Sequence, residues 1–292
     1  RDADHRTEVE ARLAAASVPA ERIVLALAPS NDTWARDHGP ITVVDDAGRP
    51  TLVDFRFDGW GGKFPAGLDD RITARLHADG RFGDAALQRS PLVLEGGAID
   101  GDGQGTLLAV RRTVIDPARN PGWSRAGVEQ ELQYLLGTRR VLWLEHGALS
   151  GDDTDGHIDT LVRFCSADAL CYVAPPPPEH PDHMELAAME RELGALRRPD
   201  GSPYRLTPLP LPRPIADPEG RPLPASYANF LIINGRLLVP VYGDPADTIA
   251  VERLGALFPD REVRPVDCRP LIRQGGSLHC VTMQLPATLR SR

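Results

Sequence analysis

FLIINGRLLVPVYGDPADTIAVERLGALFPDREVRPVDCR, residues 230–269, sets out the plan that the rest of the chain repeats. Two apolar runs flank Asn234-Gly235, a dipeptide suited to a two-residue hairpin turn because both of its positions take positive φ there. DTIAVERLGALF then carries apolar residues at helical spacing, and REVRPVDCR follows as a strand-like run. The segment therefore predicts strand, turn, strand, helix, strand.

Four further stretches share the helical periodicity: TEVEARLAAA, LDDRITARLHADG, SRAGVEQELQYLLG and HMELAAMERELGALRR. With DTIAVERLGALF they recur about every 60 residues. Each is followed by a strand-like run, in order RIVLALAP, SPLVLEGG, RRVLWLEHG, YRLTPLPLP and REVRPVDCR. Hairpins are predicted in ITVVDDAGRPTLVDF, AIDGDGQGTLLAV and LVRFCSADALCYVAP as well as at Asn234-Gly235, while the fifth stops at VTMQLP without a returning strand. One such unit cannot bury its own apolar face, so five closing about an axis predict a single α/β domain over residues 1–292. The missing returning strand is expected to lie upstream of Arg1.

Composition narrows the partners. The 292 residues carry 33 Lys+Arg against 41 Asp+Glu, a formal charge of −8, which disfavours nucleic acid and suits a small cationic ligand. No apolar run approaches the roughly 20 residues of a membrane span. Four cysteines do not form a disulfide framework, which points to a reducing, cytoplasmic setting, and their spacing does not match a zinc site. No metal or organic cofactor is expected. A homodimer is an open expectation for the assembly.

The repeat offers a test that single residues do not. Asp37 in TWARDHGP, Glu95 in LEGGAID, His157 in TDGHIDT and Cys280 in GGSLHC occupy one phase, ahead of each hairpin; the fourth unit has SYANF there, with Tyr227 and Asn229. Asp159, two steps beyond His157, is expected on the same side of a strand. Each has an ordinary explanation alone: a turn-capping aspartate, a solvated glutamate, a hydrogen-bonded histidine, a buried thiol. Together they predict one active site.

Carboxylates beside a thiol suppress the thiolate, so the site requires a cation. Guanidinium fits, being planar, always charged and matched to carboxylates two N–H groups at a time. Asp37 and Asp159 are expected to grip it, Cys280 to attack its carbon, His157 to protonate the departing ammonia and then activate water, and Glu95 to orient His157.

NDTWARDHGP, LEGGAI, TDGHIDTLVRF, SYANFLIINGRLLVPVYGDP and GGSLHC together resemble the agmatine deiminase and bacterial-type peptidylarginine deiminase family, from about Asn31 to Pro286. The resemblance implies a five-bladed α/β propeller, the pentein fold, with catalytic residues at Asp37, Glu95, His157, Asp159 and Cys280. It implies hydrolysis of agmatine to N-carbamoylputrescine and ammonia, a step toward putrescine, with Trp34 and Trp60 packing on the substrate or filling core. The run QGGSLHCVTMQ departs from the family's GGGNIHCITQQ at Gln274, Ser277 and Met283. The reaction is thus better marked than the substrate. Peptidylarginine, free arginine and methylated arginine remain rival substrates, and amidino transfer, peptidase chemistry and non-enzymatic guanidino-ligand binding rival functions.

Overall fold

The computed structural model describes residues 2–287 and 289. At the opening segment, β10 (Leu231–Ile233) and β11 (Arg236–Val241) form an antiparallel hairpin closed where Ile233 faces Arg236. Asn234 and Gly235 take φ of 46° and 75°, as a turn with two left-handed residues requires. The helix Ala246–Leu257 crosses over and delivers β12 (Glu262–Asp267) parallel to β11, from Arg236 opposite Glu262 to Val241 opposite Asp267.

The same wiring builds three more sheets. β1 (Ile41–Val44), β2 (Pro50–Arg56) and β3 (Ala86–Val93) form one; β4 (Ile99–Gly101), β5 (Thr106–Val110) and β6 (Arg140–Leu144) the next; β7 (Val162–Ser166), β8 (Ala169–Val173) and β9 (Arg205–Leu209) another. In each, the first pair is antiparallel and the second parallel. The helix Arg125–Leu136 shows how sequence makes such a crossover. Ser124 Oγ accepts from the Gly127 N–H at its start, and Val128, Leu132 and Leu135 bury one stripe against Val53, Leu92 and Ala109.

Three expectations are corrected. RIVLALAP is not a strand: after a 3₁₀ turn at Ala20–Arg22 it runs irregularly, and neither it nor VTMQLP has a ladder partner among the described residues. The preceding helix Ala3–Ala15 buries none of its residues and is laced instead by Arg6–Glu10 and Arg12–Glu8 ion pairs. The strand expected at SPLVLEGG starts earlier, at Ala86, and stops at Val93 because Gly96–Ala98 turns as a 3₁₀ helix. The sheets form a mixed α/β fold of four three-stranded units, and none of them closes on itself among the described residues.

The largest apolar cluster runs from Leu108 through Leu161, Leu170, Leu186 and Val239 to Leu278. Cys171 and Cys268 are buried in it as small hydrophobes, and all four cysteines are free. No described helix is long and apolar enough to cross a membrane.

Gly235→Ala tests the turn. A Cβ there meets nothing within 4 Å, so the cost is backbone strain alone, about 1 kcal/mol. Urea unfolding should show that loss without a change in the binding or turnover of any ligand.

Candidate active site

The short turns that lead into the first strands all come to one place. Ala35–His38 precedes β1, Gly96–Ala98 precedes β4 and Ile158–Thr160 precedes β7, and the second of these turns packs on the other two. Asn229 precedes β10, and Cys280 follows the Gly275-Gly276 pair. Their side chains meet because Gly97 has none. A Cβ on Gly97 would lie 2.6 Å from His157 Nδ1, 2.9 Å from Asp37 Oδ1 and 3.2 Å from Asp159 Oδ2.

His157 and Asp159 do not share a strand face as expected. Ile158–Thr160 is a 3₁₀ turn, held by the Thr160 N–H and hydroxyl, both of which donate to the His157 carbonyl. Both side chains still reach the shared centre, because the turn presents them from one end of the sheet.

Asp37 Oδ1 accepts from the Gly97 N–H at 3.1 Å and Oδ2 from the Trp60 indole at 2.9 Å. Trp60 reaches that position from a loop wound in the left-handed region: its own φ is 59°, between Gly59 and Gly61 at 79° each. A bulky aromatic at positive φ is strained, and here the strain aims an N–H at a buried carboxylate. Trp34 packs against Gly276, where a Cβ would be 2.5 Å from the indole. Both tryptophans are buried in a small cluster with Phe57 and Ala66 that Cys280 packs against, so they are core and pocket wall at once.

His157 lies between two carboxylates, with Nδ1 3.6 Å from Asp37 Oδ1 and Nε2 3.9 Å from Glu95 Oε2. Glu95 is itself gripped by Arg119, whose Nε donates to Oε1 at 2.8 Å. Arg119 also pairs with Asp116 and Asp155 and donates to the Thr154 carbonyl, tying Glu95 to the loop ahead of His157. Asp159 Oδ2 receives His279 Nδ1 at 2.8 Å and lies 3.9 Å from Cys280 Sγ, while its Oδ1 is buried without a partner among the described residues.

Burial raises the Asp37 carboxyl above its ordinary range and lifts Asp159 to about 7. Burial works against a charge on His157, yet Asp37 and Glu95 carry it up to about 9. Burial would also lift Glu95, but His157 and Arg119 hold it below the usual carboxylate range. Burial, Asp159 and Asp37 push the Cys280 thiol well above its ordinary value. At neutral pH these shifts favour an imidazolium on His157 and a protonated thiol at Cys280.

The site opens into a cavity of about 80 Å³ lined by Trp34, Asp37, Trp60, Phe64 and Cys280, with Asp32 and Asp153 exposed at the mouth. Its lining contains no Lys or Arg among the described residues. No cluster of His, Cys, Asp and Glu among the described residues is arranged to hold a metal ion.

The sequence reading named Asp37, Glu95, His157, Asp159, Cys280, Trp34 and Trp60, and the fold brings all seven to this site. It assigned no role to Arg119, His279 or Asn229. Asn229 was signalled by its phase and His279 by its place next to the thiol, but Arg119 pairs across 24 residues in a loop with no pattern of its own.

The family model described as Porphyromonas-type peptidyl-arginine deiminase matches residues 2–286. A Streptomyces coelicolor protein named "Putative agmatine deiminase" is 38% identical over 263 residues, 88% of this chain and 77% of the relative. Among solved structures, one from Porphyromonas gingivalis named a "Putative Arginine Deiminase" superposes with a TM-score of 0.90 at 51% identity, covering 94% of this chain and 83% of that one. A cysteine-to-serine variant of C. jejuni agmatine deiminase with substrate bound superposes at 0.81 with 36% identity, covering 88% and 74%.

The folded protein holds more protons than the unfolded chain through Asp159, from about pH 4 up to about 7. His157 adds stability that is full below about pH 6.5 and is lost as pH rises through about 9. The urea midpoint should therefore fall from pH 5 to pH 9.5, and His157→Gln should remove the alkaline half of that fall. A pH-independent midpoint above pH 6.5 in the unaltered protein would contradict the charge assignment of His157.

Proposed function

The chain belongs to the Porphyromonas-type peptidyl-arginine deiminase family, and from that premise we propose that it hydrolyses the guanidinium of agmatine to N-carbamoylputrescine and ammonia. The observation that carries the substrate assignment is the lining of the cavity. Carboxylates stand at its base, Asp37, and at its mouth, Asp32 and Asp153, and Lys63, which donates to the Asp153 carbonyl and pairs with Asp155, lies outside the described lining. A ligand with a cation at each end suits that lining, and free arginine suits it less because its carboxylate would face Asp32 and Asp153.

The chemistry follows from the charges. A guanidinium entering between Asp37 and the free Oδ1 of Asp159 supplies the positive charge that the two carboxylates otherwise lack. With their field offset, the Cys280 thiol ionises as the substrate binds, and its proton leaves to solvent. The sulfur forms a bond to the guanidinium carbon, and the imidazolium of His157 gives its proton to one amino group, which departs as ammonia and leaves a cationic thiouronium. Neutral His157 then takes a proton from water as the oxygen bonds to the same carbon. The carbon–sulfur bond breaks, the thiolate is restored and the ureido product leaves after giving up a proton. Glu95, anchored by Arg119, holds His157 in place and supports its charge through both steps.

The recurrence of the hairpin, helix and strand unit, with a site residue ahead of each hairpin, supports a finer reading of the architecture. The four sheets are four blades of a five-bladed α/β propeller, and residues 1–292 make one catalytic domain around its axis.

Incubation with agmatine, free arginine and an arginine-containing peptide, with ureido product measured, tests the reading. Agmatine should be turned over selectively. Cys280→Ala should abolish turnover while agmatine still binds, and Asp37→Asn should weaken binding as well as rate. Asp32→Asn and Asp153→Asn should each raise KM for agmatine about 2- to 5-fold, as befits exposed charges worth ~0.5–1 kcal/mol. Equal or better turnover of free arginine would overturn the substrate assignment, and full activity in Cys280→Ala would overturn covalent catalysis.

A further inference from the structure

His279 is buried next to the nucleophile and has no role in the scheme above. Its ring lies between a carboxylate and a guanidinium, with Nδ1 2.8 Å from Asp159 Oδ2 and Nε2 3.4 Å from Arg163 Nη2. Arg163 is held in place by other groups. Its Nε donates to Asp100 Oδ1 at 3.1 Å, its Nη1 donates to the Ala228 and Phe230 carbonyls at 3.2 and 2.9 Å, and its guanidinium lies over the Phe230 ring, 4.7 Å from the centroid. A guanidinium can only donate, so the ring nitrogen that it faces carries a lone pair, and the proton of the neutral ring sits on Nδ1. A second proton would put a cation against Arg163 and near Arg36, whose Nε donates to the His279 carbonyl at 3.4 Å. Burial, Arg163, Arg36 and His157 accordingly hold the His279 imidazole well below its ordinary value.

We propose that His279 is a positioning residue of the reaction described above: its neutral Nδ1–H holds Asp159 by Oδ2, leaves Oδ1 for the guanidinium and reserves the carboxylate charge for the substrate. The proposal rests on Asp159 being a ligand of that guanidinium. The two oxygens already differ in the required way, since Oδ1 is buried without a partner among the described residues. A fixed N–H dipole favours the ionised carboxylate, whereas a charged imidazolium would neutralise it and compete with the entering cation. Arg163 decides between those two states of the ring, with Asp100 balancing its own charge. The other charged or titratable groups facing Asp159 are His157 from its own turn, Asp37 and Arg36 from the turn ahead of β1, and Cys280. Asp37 opposes ionisation of Asp159, and His157, Arg163 and Arg36 favour it.

The experiment reads Asp159 without substrate. Its carboxyl carbon is followed by NMR from pH 5 to 9 in aspartate-labelled protein, with Asp159→Asn to assign the signal and thermal unfolding as the check on folding. His279→Leu removes the donor, and His279→Asn keeps an N–H at the position of Nδ1. Both retain the main-chain N–H that bonds to Asn229. His279→Leu should move the Asp159 midpoint up by about one unit, because losing a donor to a carboxylate disfavours its charged form, and His279→Asn should leave it within about 0.3 unit. On agmatine at pH 7, His279→Leu should raise KM at least about tenfold and shift the acid limb of kcat/KM upward by the same unit, while His279→Asn recovers KM to within about threefold. If His279 only fills space, the Asp159 midpoint and the acid limb will stay in place in His279→Leu, or the two variants will lose KM equally, and either result overturns the proposal. Should His279→Leu fail to fold, the ring nitrogens of histidine-labelled protein decide, with His279→Asn assigning the signals. A neutral ring protonated on Nδ1 from pH 6 to 9 upholds the proposal, and a proton on Nε2 or on both nitrogens overturns it. A failure of agmatine turnover in the unaltered enzyme would defeat the substrate assignment and leave the Asp159 midpoint to decide the role of His279.

Discussion

Gly97 allows three ionisable side chains to share one point in the interior. Asp37 comes from the turn ahead of β1, and His157 and Asp159 from the turn ahead of β7, and each reaches within contact distance of where a Cβ on Gly97 would be. Any other residue there would drive them apart or push the turn off the Arg36 backbone, which already crowds the neighbouring Gly96. The absent methyl is thus a condition for the charge arrangement, and the rest of the site is built to make that arrangement tolerable. Arg119 neutralises Glu95 from one side, and Arg163, paired to Asp100 and bonded to two main-chain carbonyls, supports Asp159 from the other.

Such a cluster is unfavourable for folding and useful for chemistry. Buried carboxylates that are lifted toward neutrality want a cation, and the protein supplies part of one in His157 while leaving Asp159 Oδ1 without a partner among the described residues. The missing stabilisation is what an entering guanidinium can provide. In the proposed mechanism binding and activation are the same electrostatic event, because the charge that satisfies the carboxylates also removes the field that keeps the thiol protonated.

Much of this was legible in the sequence because the repeat turned weak signals into a joint one. The hairpin at Asn234-Gly235, the five helices and the common phase of Asp37, Glu95, His157 and Cys280 could be read from spacing and turn chemistry. Strand character in RIVLALAP and VTMQLP was over-read, since apolar alternation shows what a segment could pair with and a strand exists only where a partner does. His157 and Asp159 were placed by strand alternation where a 3₁₀ turn operates, and the two rules bring them to one pocket by different routes. Arg119 was not legible at all: its importance lies in three carboxylates brought to it by tertiary folding, and nothing local in its loop marks a buried cation.

The left-handed loop that carries Trp60 has an optical consequence. Its indole N–H donates to Asp37, so the ring's emitting state lies in the electric field of a carboxylate whose charge is offset whenever a cation binds beside it. Phe57 and Phe64 hold the ring edge-on at 5.0 and 5.6 Å between centroids, which restricts its rotation as well as its exposure to water. The protein thereby contains its own fluorophore at the point where its electrostatics change. The surroundings of the Trp60 ring therefore change with the charge of the pocket, although Trp34 shares the same cluster.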